Sequence, residues 1–238
     1  MRLHVERTGR GPRVAVLLHG MTGSAESWWR IAPLLSARGF RVLAVDLPGH
    51  GRSPRCSSMS VEDVAEAVAE TLMAGSATCP ALAVGHSFGG LVLAAAVARG
   101  QLAPEGSVFV DSPFSTRGGW DREEVQAEYE QERAQRTYEG LLATKPHYSR
   151  RDCDVEARAA ARFEPATAAG IAASAGGSWF PAPRSIVVRA EPSEYVDGPM
   201  VAALLDADVQ VRSITGASHA VWYSHFDEFV AALPEVFG

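Results

Sequence analysis

Cysteine is scarce in these 238 residues. Cys56, Cys79 and Cys153 cannot all pair, and their wide spacing matches neither a disulfide framework nor a zinc site. A reducing compartment is predicted. Asp152 and Asp154 flank Cys153, and their negative charge disfavours a thiolate, so that cysteine is read as inert. Long apolar runs are missing too: Gly, Arg or Pro interrupts each one before the roughly 18 to 20 residues needed to cross a bilayer. Met1 to Gly11 shows no basic start, apolar stretch or small-residue cleavage site of a secretory signal. These absences predict a cytoplasmic protein with no membrane partner. Positive charge is short as well, with 22 Lys and Arg against 28 Asp and Glu and a net charge of −6. Nucleic-acid binding draws on clustered cations that displace counterions from phosphates, so no nucleic-acid partner is expected. The one local cluster, Lys145 to Arg151, runs straight into Asp152 and Asp154 and is read as a solvated loop. Nothing in the chain sets an oligomeric state.

What is present is ordinary globular material, 47% hydrophobic and 21% charged, enough to cover a parallel sheet on both faces. Short β-branched runs alternate with longer Ala- and Leu-rich segments, the pattern of repeated strand-helix units. Strands are expected at Val14 to Leu18, Val42 to Val45, Leu82 to Val84, Val108 to Val110, Ile186 to Val188 and Val209 to Ile214, with an edge strand at Leu3 to Arg7. Helices are expected at Ser27 to Ala37, Ser60 to Met73, Phe88 to Arg99, Gly198 to Leu205 and His225 to Leu233. The fold class is therefore α/β: a mainly parallel twisted sheet flanked by helices.

Residues 112–180 break this rhythm, having no convincing strand, much charge early and much Ala and Gly later. They are read as a helical cap inserted into a core made of residues 1–111 and 181–238. Within the cap, Asp121 and Glu124 form a capping-box-like pair, and Trp120 and Val125 stand where a hydrophobic staple would close the start of a helix. Glu132 and Arg136 add an i,i+4 pair. A helix from Arg122 to Arg136 follows.

The strongest chemical signal is Gly85-His86-Ser87-Phe88-Gly89, directly after the apolar run Ala81 to Val84 and directly before the helical run Leu91 to Arg99. Strand, sharp turn and helix in that order thrust the Ser87 hydroxyl outward, and a Cβ at Gly85 or Gly89 would crowd the crossing backbone. The helix N-terminus also favours negative charge developing near Ser87.

His19-Gly20-Met21-Thr22-Gly23-Ser24, after the run Val14 to Leu18, together with that elbow, resembles the α/β-hydrolase family. The resemblance implies that Met21 N–H and Phe88 N–H form an oxyanion hole, with His19 structural. Asp46-Leu47-Pro48-Gly49-His50-Gly51-Arg52-Ser53 looks like a loop of the same family and is given no chemistry; His50 is read as a loop residue. The family's order of nucleophile, acid and histidine directs the search for a base to Gly216-Ala217-Ser218-His219, and His219 is preferred over His225. For the acid, the commonest family position falls on Ser193, which cannot stabilise an imidazolium. Asp111, at the end of an earlier strand, is taken as the acid, with Glu194 as its rival; either strand end opens on the same edge of the sheet.

Met21, Trp28, Trp29, Phe88, Phe114, Trp120, Trp179, Phe180 and Trp222 lie mostly beside these loops or in the cap. A pocket so lined suits an apolar or aromatic acyl group, and Trp28, Phe114, Trp179 and Trp222 are the side chains expected to line it, although core packing is the simpler role for any one of them. The resemblance implies a serine hydrolase acting on a small carboxylic ester or lactone through an acyl-enzyme, with no metal or organic cofactor. An amide, thioester or C–C bond would need the same machinery, and a non-hydrolytic receptor could keep the fold. Haloalkane dehalogenases and epoxide hydrolases place Asp at the elbow and are less similar.

Overall fold

A computed structural model describes the whole chain, Met1–Gly238. Strands β1 (Val5–Thr8), β2 (Arg13–Leu18), β3 (Phe40–Val45), β4 (Leu82–His86), β5 (Ser107–Val110), β8 (Ile186–Glu191) and β9 (Gln210–Thr215) form one seven-stranded sheet in the order β1-β3-β2-β4-β5-β8-β9. All neighbours run parallel except β1, which pairs antiparallel with β3. Parallel pairing requires crossovers, and helices supply them: α1 (Ile31–Ala37), α2 (Val61–Met73), α3 (Phe88–Ala98) and α8 (Gly198–Asp206), while α9 (Val221–Ser224), α10 (Phe226–Ala231) and α11 (Pro234–Phe237) follow the last strand.

Both faces of the sheet are covered, as the near-continuous apolar strands require. In β2, Val16 and Leu18 face one core with α2, α3 and α8, whereas Ala15 and Leu17 face the other with α1 and α9 to α11. Helix α3 is buried on every side from Phe88 to Ala96, which explains why its sequence shows no polar stripe. Helix α2 is amphipathic and starts with a full capping box between Ser60 and Asp63.

Two expected helices are broken. Ser27 to Ala37 divides into a 3-10 turn, Ala25–Trp28, capped by Ser24, followed by α1. His225 to Leu233 becomes α10 and, after Leu233, α11 with Pro234 at its first turn.

Between β5 and β8, which are neighbours in the sheet, lies the long insertion. It holds α4 (Arg122–Gln135), α5 (Tyr138–Thr144), α6 (Arg150–Arg162) and α7 (Pro165–Ala173). It also holds an antiparallel ribbon, β6 (Ser115–Gly118) with β7 (Ala175–Ser178), where the sequence predicts no strand. That ribbon is short and rich in Gly and Ser, so neither alternation nor β-branched residues announce it. Helix α4 starts as expected, with Asp121 accepting from Glu124 N–H at 3.0 Å. The basic cluster is not a plain loop: Ser149 and Asp152 make a capping box, and α6 begins at Arg150. No helix is long and apolar enough to cross a membrane.

The insertion is bonded to the core at several points. Asp152 Oδ1 accepts from Trp29 Nε1 at 3.0 Å, and Glu26 pairs with Arg158 at 2.7 Å and Arg162 at 3.1 Å. Glu156, buried in α6, accepts from Ser27 Oγ and Tyr223 OH, both at 2.8 Å.

Candidate active site

The carboxyl ends of β2, β4, β5, β8 and β9 open on one edge of the sheet, where ligands bind in open α/β folds. At the end of β4 the chain reverses into α3 through Ser87, held at φ +50°, a region costly for a residue with a side chain. Neighbours hold it there. Ser87 N–H donates to Val110 O at 3.0 Å, and the turn is closed by tight backbone crossings. A Cβ on Gly85 would stand 2.6 Å from Gly89 O, and one on Gly89 would stand 2.3 Å from Leu18 O. Only glycine permits these approaches.

Asp111, directly after β5, is also at positive φ, +43°. Its carboxylate is buried; Oδ1 accepts from Ala190 N–H at 3.2 Å and Oδ2 lies 2.7 Å from His219 Nδ1. His219 sits on the loop after β9, its ring 4.6 Å from that of His86. His86 Nε2 lies 3.1 Å from His219 O, and burial, followed by the nearby His219, pushes the His86 pKa well below its ordinary value. A neutral His86 can therefore donate to that carbonyl and pin the loop. With Nδ1 engaged by Asp111, the opposite nitrogen of His219 has no protein partner, and His219 and Ser87 line the same cavity. No hydrogen bond joins Ser87 to His219 here, and such bonds commonly tighten only when a substrate is bound.

Glu194, the rival acid, is exposed and makes no hydrogen bond to His219. Ser193, at the family's commonest acid position, instead accepts from Tyr195 and Val196 N–H groups. His225 lies off the cavity beside Ser224. His19 bridges two loops, with Nδ1 2.8 Å from Gly20 O and Nε2 accepting from Leu47 N–H at 3.0 Å. His50 is buried against Phe163. Cys153 is fully buried, and burial more than Asp152 raises its thiol pKa.

Met21 N–H and Phe88 N–H have no acceptor in the protein. Phe88 opens α3, where N–H groups have no partner within the helix, and Met21 lies in the turn after His19-Gly20.

The cavity above Ser87 measures about 290 Å³. Of the four aromatics expected to line it, only Trp222 does. Trp28 is fully buried and stacks on Trp222 at 4.6 Å. Phe114 packs edge-on against Phe109, and Trp179 joins the core beneath the β6-β7 ribbon. These three serve packing, because each sits where the insertion or the loop after β2 must seal against the sheet. In their place the cavity wall carries Tyr129, Arg136, Lys145, Tyr148, Glu156 and Tyr195, which the sequence reading missed. One signal for them was present: Tyr129, Glu132 and Arg136 recur at i, i+3, i+7, a single face at the end of α4. A second cavity of about 310 Å³ adjoins the first, sharing Met21 and Tyr129, and is apolar, lined by Phe88, Leu91, Val125 and Ile171 among others.

Residues 15–232 match the family described as "Alpha/beta hydrolase family". The chain is 31% identical to a pimeloyl-[acyl-carrier protein] methyl ester esterase of Serratia marcescens, over 97% of this chain and 96% of that one. It is 40% identical to the protein of that name from Methylococcus capsulatus over 122 residues, 50% of this chain and 45% of the relative. Several of the curated relatives are thus matched over only about half their length. Among solved structures, an N-formylmaleamic acid deformylase from Pseudomonas putida superimposes with a TM-score of 0.78 at 17% identity, over 97% of this chain and 95% of that one. A marine microorganism esterase does so with a TM-score of 0.75 at 19% identity, over 99% of each chain. At such identities the likeness speaks for the fold.

Proposed function

The chain belongs to the alpha/beta hydrolase family, and on that premise we propose that it is a serine esterase whose triad is Ser87, His219 and Asp111. The observation that carries this reading is the 2.7 Å contact between His219 Nδ1 and the buried Asp111 carboxylate, with the rest of the imidazole opening on the cavity that holds Ser87.

In this mechanism Ser87 Oγ attacks the ester carbonyl while His219 Nε2 takes the hydroxyl proton. Asp111 holds the tautomer that makes Nε2 the acceptor and stabilises the imidazolium. The carbonyl oxygen becomes an oxyanion facing Met21 N–H and Phe88 N–H, each such donor lowering the barrier by about 3 kcal/mol. The C–O bond breaks, the departing alkoxide takes the proton from His219, and an acyl-Ser87 remains. Water then gives its proton to His219, attacks the acyl carbon and releases the acid with restoration of the Ser87 hydroxyl.

The adjoining apolar cavity suits the hydrocarbon part of a carboxylic ester or lactone, since Met21 and Phe88 belong both to its wall and to the oxyanion site. Labelling with a fluorophosphonate tests the reading. Wild-type protein should label at Ser87 and hydrolyse short apolar esters, and Ser87→Ala should do neither. Absence of labelling in folded wild-type protein would favour a binding protein on the same fold.

A further inference from the structure

Arg136 closes the C-terminal end of α4 with its side chain only 15% exposed and lining the cavity above Ser87. A guanidinium has five N–H donors, and here a single hydrogen bond to an acceptor is made, from Nη2 to Glu156 Oε2 at 2.9 Å. Nε is buried without a partner. Nη1 stands 3.6 Å from Glu132 Oε1, too far for a good hydrogen bond. Glu156 has no such shortage, because it also accepts from Ser27 and Tyr223.

The hydroxyls of Tyr129, Tyr148 and Tyr195, on the same cavity wall, bond to no protein group. Burial pushes Tyr129 up to about 12 and raises Tyr148 and Tyr195 above the ordinary phenol value, so all three remain protonated donors at neutral pH. Lys145 stands on the same wall. Arg136 and Lys145 can only donate, and the one acidic side chain on this wall with capacity left is Glu132, itself held loosely. A cavity so lined is unfavourable for a purely apolar ligand and complementary to a flat, two-oxygen anion that a guanidinium can grip with parallel N–H groups.

We propose that this wall binds a carboxylate carried by the substrate away from its scissile ester, with Arg136 as the main contact in place of Glu132, and Tyr148 and Lys145 beside it. The substrate class is then the half-ester of a dicarboxylic acid, or an ester with an equivalent remote carboxylate. The proposal rests on the esterase reading of Ser87 for the identity of the scissile bond, but not for the anion site itself.

The test compares monomethyl with dimethyl esters of succinic through suberic acid. For at least one chain length kcat/KM should be about ten-fold or more higher for the half-ester, carried by KM, as expected of a charge-assisted contact. Glu132→Gln removes the competing carboxylate and should lower the half-ester KM several-fold, a gain that a merely structural role for Glu132 would not produce. Tyr148→Phe should raise it. Arg136→Met should collapse the preference; since it strands Glu156, it is made together with Glu156→Gln. Equal kcat/KM for both ester classes across the series overturns the proposal, as does a half-ester KM unmoved by Glu132→Gln. If neither ester class is hydrolysed and Ser87 does not label, the esterase reading fails, and calorimetry with adipate on the Ser87→Ala protein decides the anion site alone. Binding that tightens in Glu132→Gln supports it, and no binding overturns it.

Discussion

Asp111 Oδ2 meets His219 Nδ1 at 2.7 Å although 108 residues separate them. Asp111 reaches that position only by adopting φ +43° at the end of β5, where its N–H also donates to Val188 O at 2.8 Å. A substitution that keeps the shape but removes the charge probes this contact directly. Asp111→Asn should lower kcat by about four orders of magnitude, as loss of the orienting carboxylate does in serine proteases. Glu194→Gln should leave kcat within a factor of about three. A large loss confined to the Glu194 variant would reassign the acid.

Trp28 lies in the core, and its removal should show as lost stability. Trp28→Ala is expected to cost about 3–5 kcal/mol by urea unfolding, because the side chain is fully buried and stacked on Trp222. A variant with unchanged unfolding midpoint but a raised KM would return Trp28 to the substrate pocket.

The loops at the carboxyl ends of β2, β4 and β9 were legible in the sequence because each carries a short, position-specific pattern whose reason is local: Gly85 and Gly89 where backbones cross, His19-Gly20 where the chain turns, His219 four residues beyond the last strand. Asp111 was legible only as a choice between two strand ends. Beyond the shared face of Tyr129, Glu132 and Arg136, the cavity wall was not legible. Arg136 reads as a surface partner of Glu132 until α6 delivers Glu156 from 20 positions away, and Lys145 and Tyr148 read as a basic loop until Tyr148 packs against Tyr223 at 4.8 Å. Those contacts depend on how α4 to α6 pack against one another and the core, which the periodicity of a single helix does not encode. Aromatic content alone misled in the opposite direction, since Trp28, Phe114 and Trp179 have the size and apolarity for either a core or a pocket.

The elbow leaves no space for a methyl group. Gly89→Ala places a carbon 2.3 Å from a backbone oxygen of Leu18, and neither α3 nor β2 can retreat without unpacking both. The variant should lose ~3 kcal/mol or more in denaturant unfolding. Unfolding at wild-type concentrations would mean that the crossing is looser than these distances require.

Acid should destabilise the protein through its buried histidines. Burial pushes His19 down to about 4 and His50 to about 3, below the unfolded value near 6.5. The unfolded chain therefore takes up protons first, so stability present above about pH 6.5 is lost as pH falls toward the folded values, roughly 2 kcal/mol for each ring by pH 5. Urea midpoints at pH 7 and pH 5 should differ, and the difference should shrink in His50→Gln. An undiminished difference in that variant would mean His50 is not a source of the slope.

Helix α6 is bonded to Glu26, Ser27 and Trp29 rather than merely resting over them. The segment that follows the first parallel strand and the long insertion after the fourth thus behave as one heritable piece. A chimera that imported residues 115–178 from a relative while keeping the native residues 24–29 would strand a carboxylate and an indole N–H at the seam. Diversification of specificity in this chain must therefore proceed by paired changes on both sides of that seam.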